Sequence, residues 1–254
     1  MEVHQHTHTP RKKWSHYFWE FFMLFLAVTL GFFVENQREH YIEHQRAKQY
    51  ASALYTDLIK DTVALSERTE FMVAGTKALD TLIAILQSFE DNTEVVPKIY
   101  ALSSYAYSGA FFGATTSTIE QLKNSGSLRY FQGHDLVTAF SEYDSDLQRL
   151  KQVEERNVYL NEEIRKFLTQ FLDVKNISRF TVDTATNTSG FQLAQPAAYT
   201  SLRLYKTGKE QLQQYGNLCA LKQLDWSTRI GLQTRLLKSA RTLIASLKKE
   251  YRLE

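Results

Sequence analysis

His40-Tyr41-Ile42-Glu43-His44 spells H-x-x-E-H, the inverted zinc-protease pattern, and it is the sharpest chemical motif in the chain. On a helix two histidines four residues apart share a face, which suits a zinc ion. Such a site also needs a third ligand and a cleft. Glu35 to Gln45 is polar nearly all round, so the motif reads as part of a solvated, charge-laced stalk. His4, His6 and His8 alternate near the N-terminus, a pattern of weak metal affinity in a segment whose composition reads as a disordered tail. Cys219 is the single cysteine, which excludes an intrachain disulfide and a cysteine-based zinc site and leaves a core residue. His134 follows Gly133 and suits a helix start. There is no G-x-G-x-x-G, Walker loop, G-x-S-x-G or C-x-x-C pair. The expectation is a non-enzyme with no cofactor and no bound metal.

One carboxylate stands apart. From Phe21 to Val34 no residue is charged, and Tyr17, Phe18 and Trp19 extend this run behind Glu20. Intramembrane carboxylates mark ion paths or helix pairing, which makes Glu20 a candidate functional residue. Its place one turn from the end of the run also lets it reach headgroups and water. A bilayer core needs about 20 mostly apolar residues in a helix, so 15–34 is expected to be a transmembrane helix with Trp14, Tyr17 and Trp19 as its aromatic belt. The run ends Phe32-Phe33-Val34-Glu35, a poor signal-peptidase site, and a signal anchor is expected. Arg11, Lys12 and Lys13 precede the span, whereas acidic and basic residues balance after it. The positive-inside bias then gives a cytoplasmic tail over 1–14 and a distal domain on the other side.

A second charged feature lies at the C-terminal end, where Lys248, Lys249 and Arg252 join Arg235, Lys238 and Arg241. In an up-down bundle the fourth helix returns toward the membrane. These cations are candidate contacts for anionic headgroups, each worth about 1 kcal/mol at such a surface, against an ordinary solvated face that complements the helix dipole. Lys and Arg number 30 and Asp and Glu 28, a net charge of +2. That balance gives no global basic field for nucleic acid.

The elements that carry these residues are helical. Proline occurs three times and glycine ten, which favours helix over strand. Ala47, Ala51, Leu54, Leu58, Thr62, Leu65, Thr69 and Met72 recur at steps of four and three, continuing through Thr76, Leu79, Ile83 and Leu86 with Gly75 inside the stripe. The spacing predicts one long helix from the membrane to about Phe89, with a juxtamembrane stalk over 35–46 and a bundle domain over 47–254. A short helix is expected at Lys98 to Tyr107. A capping box is expected at Ser117 and Glu120, before a helix that stops at Asn124-Ser125-Gly126. Leu136, Phe140, Tyr143, Leu147 and Leu150, then Val153, Asn157, Leu160, Ile164, Phe167 and Phe171, predict one helix from His134 to Leu172, a coiled-coil-like heptad seam with one slip and Asn157 as its polar position. Residues 173–200 read as an irregular loop, and a last helix runs from Leu202 or Lys209 to Leu253. The expected fold is all-α: a transmembrane helix continuing into the first helix of an up-down, four-helix-like bundle.

Two stretches, His16 to Leu58 and Thr116 to Tyr143, resemble a family of single-span membrane proteins from Bacteroidota. The second includes the L-x-x-S-G-x-L-like turn Leu122-Lys123-Asn124-Ser125-Gly126-Ser127-Leu128. The resemblance implies an inner-membrane anchor and a helical periplasmic domain, and it brings no activity or site residues.

Three functions compete. The first is a membrane-anchored scaffold or accessory subunit that binds a partner protein or oligomerises. The second is a periplasmic sensor with a ligand pocket near Tyr105, Tyr107, Tyr143 and the 173–200 loop, signalling through a partner. The third is an ion-coupled, energy-transducing accessory subunit that uses Glu20.

Overall fold

The computed structural model describes residues 13–89, 95–131, 133–177, 202–205 and 208–253. His4, His6, His8 and Arg11 lie outside them, as does most of the 173–200 loop. The described residues contain α1 (Trp14–Gln87), α2 (Val95–Tyr107), α3 (Ser117–Asn124), α4 (His134–Arg156), α5 (Val158–Phe171), α6 (Val174–Ile177) and α7 (Lys209–Tyr251), with a 3-10 turn at Ser127–Tyr130. No strand occurs among them. The protein is all-α, as the periodicity predicts. The chain divides into two compact units, one ending at Tyr50 and the other beginning at Ala51.

In the first unit α1 carries the apolar run. It is the one helix among the described residues long and apolar enough to cross a membrane. Its large side chains are exposed, including Phe21, Leu24, Val28 and Phe32. An exposed face of this kind is unfavourable in water and suits a lipid solvent, whose tails are as apolar as the helix surface. Phe18 and Phe22 stack one turn apart, as do Phe21 and Phe25.

The second unit is a bundle whose helix directions follow from cross-links. Thr69 donates to Gln233 and Gln223 donates to the Thr76 carbonyl, so α1 and α7 run antiparallel. Asp146 pairs with Arg235, Glu154 with Arg229 and Asn157 with Asp225, so α4 is also antiparallel to α7. Tyr100 meets Asp173 and Tyr107 stacks on Arg165, which sets α2 antiparallel to α5. Up-down order therefore holds through four rods: α1, α2 with α3, α4 with α5, and α7. Apolar stripes at helical spacing fill the centre, with Leu58, Leu65, Met72 and Leu79 from α1 and Leu236, Leu243 and Leu247 from α7 fully buried.

Gly75 explains a break in the α1 stripe. A Cβ there would lie 1.9 Å from the Trp226 ring and 2.8 Å from Tyr105. The glycine lowers helix propensity by about 1 kcal/mol and lets the indole lie against the α1 backbone.

Two rods are interrupted. The expected single helix from His134 to Leu172 is two, α4 and α5, broken at Asn157, one turn past the heptad slip between Leu150 and Val153. The second rod breaks between α2 and α3 at residues 108–116. The Ser117–Glu120 capping box does not form: Thr116 is the N-cap, and it makes no side-chain capping bond. Gly126 takes φ +67° after α3, a conformation that suits glycine. Within the irregular segment expected at 173–200, Asp173 precedes the single turn of α6 at Val174–Ile177, and 178–200 lie outside the described residues.

Candidate functional site

Every charged residue of α7 between Gln211 and Thr234 is buried: Lys222, Asp225 and Arg229. Steps of three and four place them on one face, which meets the two breaks in the neighbouring rods. Burying an ion is unfavourable unless its hydrogen bonds are replaced, and the breaks supply the replacements.

Arg229 answers the break in the second rod. Its Nη1 donates to the Gly109 carbonyl at 2.8 Å and its Nη2 to the Ala110 carbonyl. The same Nη2 donates to Glu154 Oε1 at 2.9 Å. That carboxylate also accepts the Phe112 backbone N–H at 3.1 Å. The phenyl ring of Phe111 lies over the guanidinium, 5.3 Å from ring centre to Cζ. Ala110 adopts φ +45°, a strained value for a residue with a Cβ, and Arg229 holds it there. Burial pushes the Glu154 carboxyl above its usual range, and Arg229 opposes the shift.

Asn157 and Asn161 answer the break in the third rod. Asn157 donates to Asp225 Oδ1, and the Lys222 ammonium donates to Asn161 Oδ1. The ammonium also lies over the Trp226 ring at 5.4 Å. Burial pulls the Lys222 pKa down to about 8, while Asp225 opposes the shift. Asp225 is itself raised by burial, against the pull of Arg229 and Lys222.

A second anchor holds the other end of the 108–116 connection. Asp61, 3% exposed, accepts the Thr115 N–H and hydroxyl and the Tyr143 hydroxyl. Asp57 accepts the Thr118 hydroxyl at 2.6 Å. Desolvation raises the Asp61 pKa. The α1 stripe expected Thr62 in the core at this level; Asp61 is the more buried of the two and accepts from both Thr115 donors.

These clusters bind backbone and side chains of the chain itself. Two open clefts lie on the bundle, of which the second reaches a cluster. One, of about 780 Å³, is lined by Ile83, Leu86, Phe89, Leu212, Gln213 and Asn217 among others. The second, of about 510 Å³, lies along the α4–α5 break and α7, lined by Asn157, Leu160, Leu221, Leu224 and Asp225 among others.

The residues singled out by sequence fall elsewhere. Glu20 is on the exposed helix with its Oε1 3.5 Å from His16 Nε2, an i,i+4 pair; His16 is the neighbour that residue-type reasoning missed. His40 Nδ1 lies 3.7 Å from Glu43 Oε2. Among the described residues no three His, Cys, Asp or Glu side chains gather as a metal site. Lys248 lies over the Tyr55 ring at 5.8 Å, Lys249 is 3.8 Å from Asp135, and Arg252 ends α7 at φ +51°. Cys219 is buried beside Tyr215, with its thiol pushed up to about 12 by desolvation, which leaves it unreactive. Tyr105 packs on Phe71, Tyr107 on Arg165 and Tyr143 on Asp61, so each serves a separate contact. Comparison of the chain with protein-family models, curated proteins and solved structures gives no match.

Proposed function

We propose that the protein is a single-pass, membrane-anchored helical scaffold or accessory subunit that works by binding protein, either a partner or another copy of itself. The observation that carries this reading is how the buried polar groups are used. Arg229, Glu154 and Asp61 are spent on the backbone of an interrupted rod. Lys222 and Asp225 are spent on Asn161 and Asn157. Catalytic groups are held ready in a cleft that substrate enters; these groups hold the bundle together. The exposed apolar helix at the N-terminal end supports an anchor. In this reading the N-terminus is cytoplasmic, as Arg11, Lys12 and Lys13 favour. The bundle then lies on the periplasmic face of a bacterial inner membrane.

The test is crosslinking of the full chain in native membranes, followed by gentle detergent extraction. A crosslinked species larger than one chain, present at stoichiometric yield, is expected. Recovery of an isolated monomer alone sinks the proposal.

A further inference from the structure

The C-terminal half of α7 exposes basic residues and almost no acidic ones. Arg235, Lys238, Arg241, Lys248, Lys249 and Arg252 are exposed, and no Asp or Glu occurs between Trp226 and Lys249. The neighbouring helices divide these cations. On the α4 side Arg235 meets Asp146 at 2.8 Å and Lys249 lies 3.8 Å from Asp135. Glu250 is on that side too, with its carboxylate against Gly133. On the α1 side Lys248 lies over the Tyr55 ring, and Arg241, two turns earlier, shares its face.

Lys238, Arg241, Ala245, Lys248 and Arg252 follow steps of three, four, three and four, so they form one stripe. It runs about 21 Å along the helix at 1.5 Å per residue. Among the described residues none of its four cations pairs with a carboxylate. The α1 flank supplies none. From Ala51 to Ser66 its acidic residues are Asp57, which takes the Thr118 hydroxyl, and Asp61, which is buried. The same stretch exposes Lys60 and Ile59. An ordinary solvated face mixes the two signs, as α5 does, where Glu162 and Glu163 pair with Arg165 and Lys166. Like charges one turn apart repel. The helix dipole favours cations in the last turn only. That accounts for Lys248 and Lys249 and leaves Lys238 and Arg241, more than two turns before Tyr251, without a local reason.

We propose that this stripe and the α1 flank beside it dock an acidic segment of a different protein. The inference rests on the anchored-scaffold reading above and names the chemistry of its partner. Charge complementarity selects carboxylates. The cations recur once per helical turn along a line, which suits a partner chain laid lengthwise. An anionic bilayer touching the end of α7 would meet Lys248, Lys249 and Arg252 with Glu250 and Asp135 among them, and would miss Lys238 and Arg241. A second copy of this chain is a poor fit. Among the described residues its exposed carboxylates are interleaved with cations, as Glu67 and Glu70 are with Arg68, and Glu155 with Lys151 and Arg156. The exposed Ile59 gives such a partner an apolar edge to cover.

The experiment uses the full chain in native membranes, with a photoreactive benzoylphenylalanine in place of Ala245 at the middle of the stripe. After illumination the crosslinked peptide is sequenced by mass spectrometry. One partner protein is expected, joined through a segment rich in Asp and Glu. The same photoreactive residue in place of Gln148, exposed on α4, is expected to give no such product. Lys238→Glu combined with Arg241→Glu is expected to lower the yield at least about tenfold. Both positions are exposed, so the thermal melt of that variant is expected to stay unchanged. Raising the salt from about 0.05 M to about 0.5 M is expected to weaken the crosslink, because exposed charges are screened. Should the variant melt early, the salt dependence of the unaltered stripe decides. A product joined to a neutral or basic segment, to a second copy of this chain or to lipid overturns the proposal. So does no product, or an acidic product that neither charge reversal nor salt reduces. If the stripe fails while crosslinked species larger than one chain form elsewhere, the scaffold reading survives; if the chain is a lone monomer, both fall.

Discussion

Replacing Arg229 with methionine tests whether the buried charges exist to hold the 108–116 connection. The guanidinium makes three hydrogen bonds, to the Gly109 and Ala110 carbonyls and to Glu154. Methionine keeps most of the side-chain volume and makes none. Glu154 is left as a buried carboxylate with one donor, the Phe112 N–H. Breaking a buried ion pair from one side destabilises by about 3–5 kcal/mol, and each stranded carbonyl adds about 1–3 kcal/mol unless water reaches it. Arg229→Met is therefore expected to lower the unfolding free energy by at least about 4 kcal/mol, the ion-pair loss alone, at pH 7 in urea titrations followed by circular dichroism. Glu154→Gln in the same background removes one of the two carboxylates that lose Arg229, Asp225 being the other at 3.7 Å, so the double variant is expected to recover about 2 kcal/mol.

The pH dependence carries a sign. Burial already holds the Glu154 pKa above 4.5 in the folded protein, and Arg229 opposes that shift. Without Arg229 the folded pKa rises further. Near pH 5 the folded variant then holds a proton that the unfolded chain has begun to lose, so folding gains stability as pH falls. The Arg229→Met deficit is expected to shrink between pH 7 and pH 5. A deficit under 1 kcal/mol at pH 7, or one that neither pH nor Glu154→Gln alters, refutes the argument that Glu154 and Arg229 compensate each other across the break.

The remaining predictions concern glycine and lysine. Gly75→Ala drives a Cβ into the Trp226 ring and is expected to destabilise by about 2 kcal/mol in the same titration, whereas Gly216→Ala meets open space and should stabilise by about 0.5–1 kcal/mol; equal effects at the two sites would show that the close packing is not real. Lys222 is buried and its pKa falls from 10.5 to about 8, so between those values the unfolded chain holds a proton that the folded chain has released, and stability rises with pH. Relative to Lys222→Met, the native chain is expected to gain about 3 kcal/mol from pH 7.5 to 10.5, and a difference that stays flat across that range rules out a buried, facing set of Lys222, Asp225, Arg229 and Arg165.

How much of this was legible in the sequence depends on whether a residue's partner is local. The α1 stripe is periodic, and periodicity alone places Leu54, Leu58, Leu65 and Met72 in a core. The heptad slip between Leu150 and Val153 lies one turn before the level at which α4 gives way to α5, and the apolar spacing runs on across the break. Asp61 and Arg229 were not legible. Asp61 sits on a face with Leu54, Leu58 and Leu65, and Arg229 on one it shares with Lys222, Asp225 and Trp226; ordinary patterning assigns such charges to the surface. Their burial follows from the 108–116 connection, more than 40 residues from Asp61 and more than 100 from Arg229, whose carbonyls and N–H groups need partners once the second rod is broken. One signal was present. The segment Ser108-Gly109-Ala110-Phe111-Phe112-Gly113 is apolar and glycine-rich, so it would be buried with its backbone unpaired. A chain that buries such a segment must send charges inward to meet it, and α7 has Lys222, Asp225 and Arg229 at helical spacing beside the exposed Leu221 and Leu224. The same inversion that satisfies the connection turns leucines outward, so the exposure of Leu221 and Leu224 on α7 follows from the broken rod.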